Sequence, residues 1–227
     1  MGSRLIQGND LRRLDGVVAS QVHLVRHGEV FNPDGILYGR LPGFGLSKLG
    51  HRMASSAAEE LASRNRSIAA LAASPLQRTR ESAAPIAETF GLPVRIEERI
   101  IEPTNHFEGM VMRRAVRLPK NWPALVNPWR PSWGEAYVDI VARMRSAIDD
   151  AFESTDDGDV VLVSHQLPIW MSHLSVAGER LPHSPTKRRC ALSSITSFER
   201  SDSGLVEVGY VEPASSLQAT ATDVGAV

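Results

Sequence analysis

Two hydrophobic periods alternate along this chain, and each switch between them marks the boundary of an element. Gln21–His27 is a short apolar run of strand type. Ser47 stands where an N-cap belongs, ahead of Leu49, Met53, Ala57 and Leu61 on one helical face. Ile68–Ala73 is apolar and short enough for a buried strand. Ser74-Pro75 then reads as the N-cap and first position of a second helix, with Leu76, Thr79, Ala83, Ile86, Ala87 and Phe90 spaced along it. Gly91, with Pro93 beyond it, stops that helix.

Val94–Ile96 forms another short strand pattern. Tyr137, Ile140, Val141, Met144, Ile148 and Phe152 line one face of a helix ending near Asp156-Asp157-Gly158. Val160–Ser164 is a β-branched run of buried-strand type, a helical stretch follows from Pro168, and Ile195–Phe198 and Leu205–Tyr210 read as closing strands. This alternation predicts an α/β fold: a three-layer αβα sandwich with a mostly parallel central sheet and helices on both faces.

The patterned region spans residues 21–213 and is sized for one domain within a chain of 227 residues. Residues 1–20 are polar and aperiodic and read as an N-terminal extension. Residues 214–227 lack a core pattern and are expected to be a disordered tail. No internal repeat is present.

Charge narrows the partners. The formal net charge is −1, which argues against wholesale electrostatic binding to nucleic acid or an anionic membrane. No apolar run approaches the roughly 20 residues that span a bilayer, and Asp10, Arg12, Arg13 and Asp15 interrupt any signal-peptide core. A cytoplasmic protein is the default expectation. The single cysteine, Cys190, permits no intrachain disulfide, and its apolar flank predicts a buried thiol.

Three segments far apart in sequence each end a buried strand in polar residues suited to an anion. They are Arg26-His27-Gly28, Ser74 through Arg78, and Ser164-His165. Ligands of open α/β sheets bind outside the carboxyl ends of strands, so two histidines and two arginines are expected to converge there. These residues also carry a family resemblance. Leu24-Val25-Arg26-His27-Gly28-Glu29 resembles the Arg-His-Gly signature of the histidine phosphatase, or phosphoglycerate mutase-like, superfamily. Leu46-Ser47-x-Leu49-Gly50, Ser74-Pro75-Leu76-x-Arg78-Thr79, Arg99 to Glu102, Gly134-Glu135 and Val163-Ser164-His165 follow in the family's order.

The resemblance implies a phosphatase in which His27 is transiently phosphorylated, Arg26, Arg78, Asn32 and His165 hold the phosphoryl group, and Glu102 is the proton donor and acceptor, with Glu108 as its alternative. Elementary chemistry agrees. A phosphomonoester dianion needs about two positive charges, which guanidinium groups supply with several donors each. An unprotonated imidazole is a competent nucleophile near neutral pH. No metal or other cofactor is expected.

From Met110 to Gly134 the chain carries Arg113, Arg114, Arg117, Lys120 and Arg130 with no acidic residue, and Trp122, Trp129 and Trp133 lie among them. Residues 110–134 are a candidate cap over the site. Glu108, Arg113, Arg114 and Gln166 are candidate substrate contacts for a small phosphorylated or acidic metabolite. Local departures from the family pattern occur at Asn32, Pro103, Phe107 and the Gln166-Leu167 pair. The short interval between Glu102 and His165 resembles the phosphatase branch. The alternatives are mutase-type phosphotransfer and a non-catalytic phosphate-binding module.

Overall fold

The structure, a computed structural model, describes residues 19–126 and 131–223. A six-stranded mixed sheet forms the middle layer: β1 (Val22–Arg26), β2 (Ile68–Ala73), β3 (Val94–Ile96), β4 (Asp159–Ser164), β5 (Ile195–Ser201) and β6 (Gly204–Val211). Their spatial order is β3-β2-β4-β1-β5-β6. The pairs β1/β4, β2/β4 and β2/β3 are parallel, and β5 and β6 close the sheet by antiparallel pairing.

The period of two within each strand explains the three layers. Leu24, Val160 and Leu162 point to one face and pack with α4 (Tyr137–Glu153) and α5 (Gln166–Val176) through Ile140, Met144, Ile148, Ile169 and Met171. Val25, Val161 and Val163 point to the other face. There they meet Ala57 and Leu61 of α1 (Lys48–Ser63) and Ala83 and Ile86 of α2 (Gln77–Phe90). A strand buried on both sides has no polar alternation, which is why β4 reads as a continuous apolar run.

Most predicted boundaries agree with the structure. Ser47 caps α1, its hydroxyl accepting from the Gly50 amide at 2.9 Å. Gly91 ends α2 in the left-handed conformation at φ 66°. Ser74, predicted as the cap of the second helix, is not one. That helix starts at Gln77 after an uncapped Leu76, and the Ser74 hydroxyl turns to His165 instead.

The basic segment is compact where described. Asn105 bridges to Gly134. Leu37, Phe107 and Ala115 form a small apolar cluster with Met110, Leu125 and Trp133, separate from the main core. Residues 112–115 form a short helix, α3 (Met112–Ala115). Trp129 and Arg130 lie outside the described residues, as does the N-terminal extension up to residue 18. Ala19 is buried, its amide bonded to Phe152 O.

The tail expected after residue 213 needs correcting up to residue 223. Ala214 is buried against Met53 and Leu192, and the short helix α6 (Ser215–Gln218) follows. Gln218 Nε2 donates to Leu192 O at 2.9 Å. These contacts lead the chain back across the carboxyl ends of the parallel strands. A few well-placed apolar residues suffice to anchor a segment on a preformed surface, and they produce no periodicity in its sequence.

Candidate active site

β1, β2 and β4 end side by side, and the residues just past their ends share one pocket. His27 follows β1, and His165 follows β4 and precedes α5. Their rings stand 5.3 Å apart, centroid to centroid, inclined at 64°. Both are fully buried, as are Arg26, Arg78 and Glu102.

Glycine fixes the approach of His27. A β-carbon on Gly28 would overlap the Gly50 carbonyl, and one on Gly50 would overlap that of Glu29. The loop after His27 therefore lies directly on the first turn of α1, which only two facing glycines allow. The Gly28 amide donates to Ser82 Oγ of α2 at 3.1 Å. His27 Nδ1 donates to Gly28 O at 2.8 Å, because a carbonyl can only accept. Nε2 is then the ring's lone-pair nitrogen.

His165 is held from β2. Ser74 Oγ lies 2.7 Å from its Nε2, and Nδ1 lies 3.5 Å from Glu102 Oε2. The arrangement in which Ser74 donates to Nε2 leaves the ring proton on Nδ1, facing the pocket. Glu102 is placed by the buried Ile100, whose carbonyl accepts from Ser164 Oγ at 2.7 Å, and by Arg143, which donates to Arg99 O. Arg78 sits in the first turn of α2, donates to Gly39 O at 2.7 Å and covers the Tyr38 ring at 4.7 Å.

Four buried polar atoms of this pocket lack a hydrogen-bond partner: Arg26 Nε, Arg78 Nε, Glu102 Oε1 and His165 Nδ1. Buried polar atoms are almost always satisfied in native proteins, so this cluster of orphans around His27 is a candidate position for a ligand. The three nitrogens can donate to an oxyanion, and a protonated Glu102 adds a fourth donor.

Electrostatics follow from burial and crowding. Burial, then Arg78 and Arg26, holds His27 well below the usual imidazole range, against the Gly28 carbonyl. His165 is likewise well below it, through burial, Arg78 and His27. Burial raises Glu102 above ordinary carboxylates despite Arg78, Arg188, Arg26 and Arg143 around it. Burial also lowers Arg78. For Arg26 burial acts in the same direction, but the adjacent Asp223 carboxylate more than offsets it and its pKa rises. Cys190 is a buried thiol pushed up to about 11 by burial.

The five central residues of the sequence prediction are thus brought together: Arg26, His27, Arg78, Glu102 and His165. Others are placed differently. Asn32 shapes its own turn, its amide donating to Ile36 O at 2.8 Å and accepting from Ile36 N at 3.2 Å. Glu108 accepts from the Arg40 amide at 3.0 Å, in the loop that supplies Gly39 O to Arg78. Arg113 and Arg114 are solvent-exposed on α3. Gln166 Oε1 accepts from Arg188 at 3.2 Å at the edge of the pocket.

Sequence reasoning missed Ser74 as the partner of His165, and also Arg40, Arg143, Arg188 and Asp223. Arg40 donates to Glu102 O at 2.5 Å, and Arg143 pairs with Glu135 at 2.7 Å. Only the run Lys187-Arg188-Arg189 offered a local signal. Among the described residues, no group of three or more His, Cys, Asp or Glu could hold a metal ion, and no helix is long and apolar enough to cross a membrane.

Comparison with known proteins places this geometry in context. The sequence model of the "Histidine phosphatase superfamily (branch 1)" matches residues 22–212. An uncharacterized protein of Mycobacterium tuberculosis is 51% identical over 199 residues, covering 86% of this chain and 98% of its own. Phosphoserine phosphatase 1 of Hydrogenobacter thermophilus is 30% identical over 162 residues, 68% of this chain and 75% of its own. The solved complex of a mycobacterial glucosyl-3-phosphoglycerate phosphatase with inorganic phosphate aligns with a TM-score of 0.68 at 25% identity, covering 88% of this chain and 99% of its own.

Proposed function

The chain belongs to the histidine phosphatase superfamily, and from that premise we propose that it hydrolyses a small phosphomonoester through a phosphohistidine on His27, without a metal. One observation carries the reading. Gly28 O ties down Nδ1 of His27, so the lone pair of Nε2 lies in a pocket whose buried arginine and histidine nitrogens lack partners.

The chemistry balances with these residues alone. Nε2 of His27 attacks phosphorus, and the bond to the leaving oxygen breaks as Glu102 gives that oxygen its proton. Arg26, Arg78 and Nδ1–H of His165 take the equatorial oxygens, where charge spreads in the transition state. Glu102, now a carboxylate, takes a proton from water. The hydroxide attacks phosphorus, the P–N bond breaks, and phosphate leaves with His27 neutral again.

Depressed imidazole basicity suits a nucleophile, because His27 stays unprotonated at neutral pH. A carboxyl held above its usual range suits a proton donor. Glu102 fits that role better than Glu108, which is committed to the Arg40 amide. The arginines around Glu102 favour a substrate with a second anionic group near the ester, in line with the phosphorylated acids named for two relatives.

The test is turnover of an aryl phosphate in excess chelator, followed by a screen of phosphorylated metabolites. His27→Ala is expected to lower turnover on the order of 10³-fold or more. Acid quenching is expected to trap phosphate on His27 of the wild type. Retained activity in the variant rejects the nucleophile. Isomerisation of a phosphoglycerate with little free phosphate would identify a mutase instead.

A further inference from the structure

The Arg26 fork is engaged by the chain's own carboxylate. Asp223 Oδ1 accepts from one terminal nitrogen at 2.5 Å and Oδ2 from the other at 2.9 Å. Arg26 also donates to Cys190 O at 2.6 Å. Asp223 reaches this position because the segment after β6 is anchored twice, at Ala214 and at Gln218. Beyond that, the Thr222 amide donates to Glu29 Oε1 at 2.6 Å, while Ser47 at the start of α1 donates to Glu29 Oε2. Glu29, two residues from His27, thus orients the strap just ahead of Asp223.

We propose that Asp223 is a specificity-determining residue: its carboxylate is an internal stand-in for the substrate's phosphoryl group on Arg26, so that only stronger anions gain entry. The inference rests on the phosphate-site reading above. A planar carboxylate with one charge engages the Arg26 fork but leaves Arg26 Nε, Arg78 Nε and His165 Nδ1 without partners. A tetrahedral phosphoryl group has two charges and three free oxygens, so it can satisfy that whole set and displace the carboxylate. A free carboxylate ligand offers nothing that Asp223 does not, and it competes with a tethered group whose effective concentration is in the mM range.

Displacement is feasible. Arg26 is fully buried, but the Asp223 side chain is 40% exposed, so the carboxylate can swing to water without losing much else. The apparent affinity for any anion is then reduced by the fraction of molecules in which Asp223 occupies Arg26.

The experiment is calorimetric titration of the full chain with inorganic phosphate and, separately, acetate, using wild type, Asp223→Asn and Asp223→Ala. Asparagine keeps the shape and removes the charge. Both variants are expected to bind phosphate about tenfold more tightly than wild type. Acetate is expected to compete with phosphate in the variants and not in wild type. With an aryl phosphate, KM and the inhibition constant of phosphate are expected to fall by the same factor, which mere structural damage would not produce. Phosphate affinity unchanged or weakened in both variants overturns the proposal while leaving the phosphatase reading intact. Absence of phosphate binding in all three proteins overturns both.

Discussion

The hydroxyl of Ser74, at the end of β2, lies 2.7 Å from Nε2 of His165, at the end of β4. Two neighbouring parallel strands thereby orient one imidazole. Its Nδ1 is left toward Glu102 and the His27 ring, and its basicity is too low for it to compete for a proton.

Removing the ring and removing its support are expected to differ in degree. His165→Ala deletes the proposed transition-state donor and is expected to lower kcat by about 10²–10³-fold. Ser74→Ala keeps the donor but frees the ring, and a loss of about tenfold is expected. Steady-state kinetics of both variants and the double variant check this. Loss in the double variant no greater than in His165→Ala alone is expected, because Ser74 acts through that ring.

On the mechanism proposed above, Glu102 sets the alkaline side of the activity. That mechanism needs its carboxyl protonated for the leaving group, and burial holds its pKa above the usual carboxylate value. kcat for an alkyl phosphate is expected to persist above the pH at which an ordinary carboxyl has ionised, then fall as this proton is lost. Glu102→Gln is expected to abolish that limb and lower kcat by about 10²–10⁴-fold. An aryl phosphate, whose leaving oxygen needs less protonation, is expected to lose less. Equal losses on the two substrates would assign the proton to another group, with Glu108 first to test.

Most of the candidate site was legible because its residues terminate a buried strand or open the helix after one, and the strand pattern itself orders them in space. Arg26, His27, Arg78 and His165 belong to this class, whereas Glu102, beyond the short turn Glu98–Ile100 that follows the exposed β3, was reached only through the family resemblance. Ser74 was misread because Ser-Pro is a good local cap signal, whereas the structure gives the hydroxyl a tertiary partner on β4 and starts the helix at Gln77. Asp223 left no local trace. Its partner is 197 residues away, and the anchoring side chains Ala214 and Gln218 are ordinary in sequence. Arg113 and Arg114 misled for the opposite reason: a conspicuous basic run produced solvent-exposed positions on α3.

Gly28 is where fold and chemistry meet most tightly. A β-carbon there would meet the Gly50 backbone, which belongs to a helix and cannot give way as a side chain can. Gly28→Ala is expected to push the loop off α1 and turn the His27 ring with it. A displacement near 1 Å at the nucleophile costs about 10²-fold. The expected result is a fall in kcat of that order with a melting temperature still measurable, read by kinetics and calorimetry together. Wild-type kcat in this variant would mean that the loop relaxes without moving His27.

At the opposite end of the sheet, the strands are tied by a charged group that the chemistry does not use. Asp159, buried at the start of β4, accepts from Arg66 at 2.5 and 2.8 Å and from the Gln21 amide at 2.9 Å. His23 Nε2 lies 3.3 Å from it, with Nδ1 against Ser197 Oγ at 2.8 Å. Burial alone would raise the Asp159 pKa, but the bonds from Arg66 and His23 more than offset it and hold the carboxyl down to about 2. A carboxyl with a folded pKa below its unfolded one stabilises the fold fully above the unfolded value, and that stability is lost as pH falls through the folded value. The melting temperature is therefore expected to drop as pH is lowered from about 4 toward 2. Asp159→Asn is expected to cost about 1–2 kcal/mol at neutral pH, because the buried side chain keeps only weaker, uncharged bonds to Arg66 and His23, and to flatten that part of the acid profile. Calorimetry of both proteins across this range decides it: parallel profiles would place the acid sensitivity in other carboxylates.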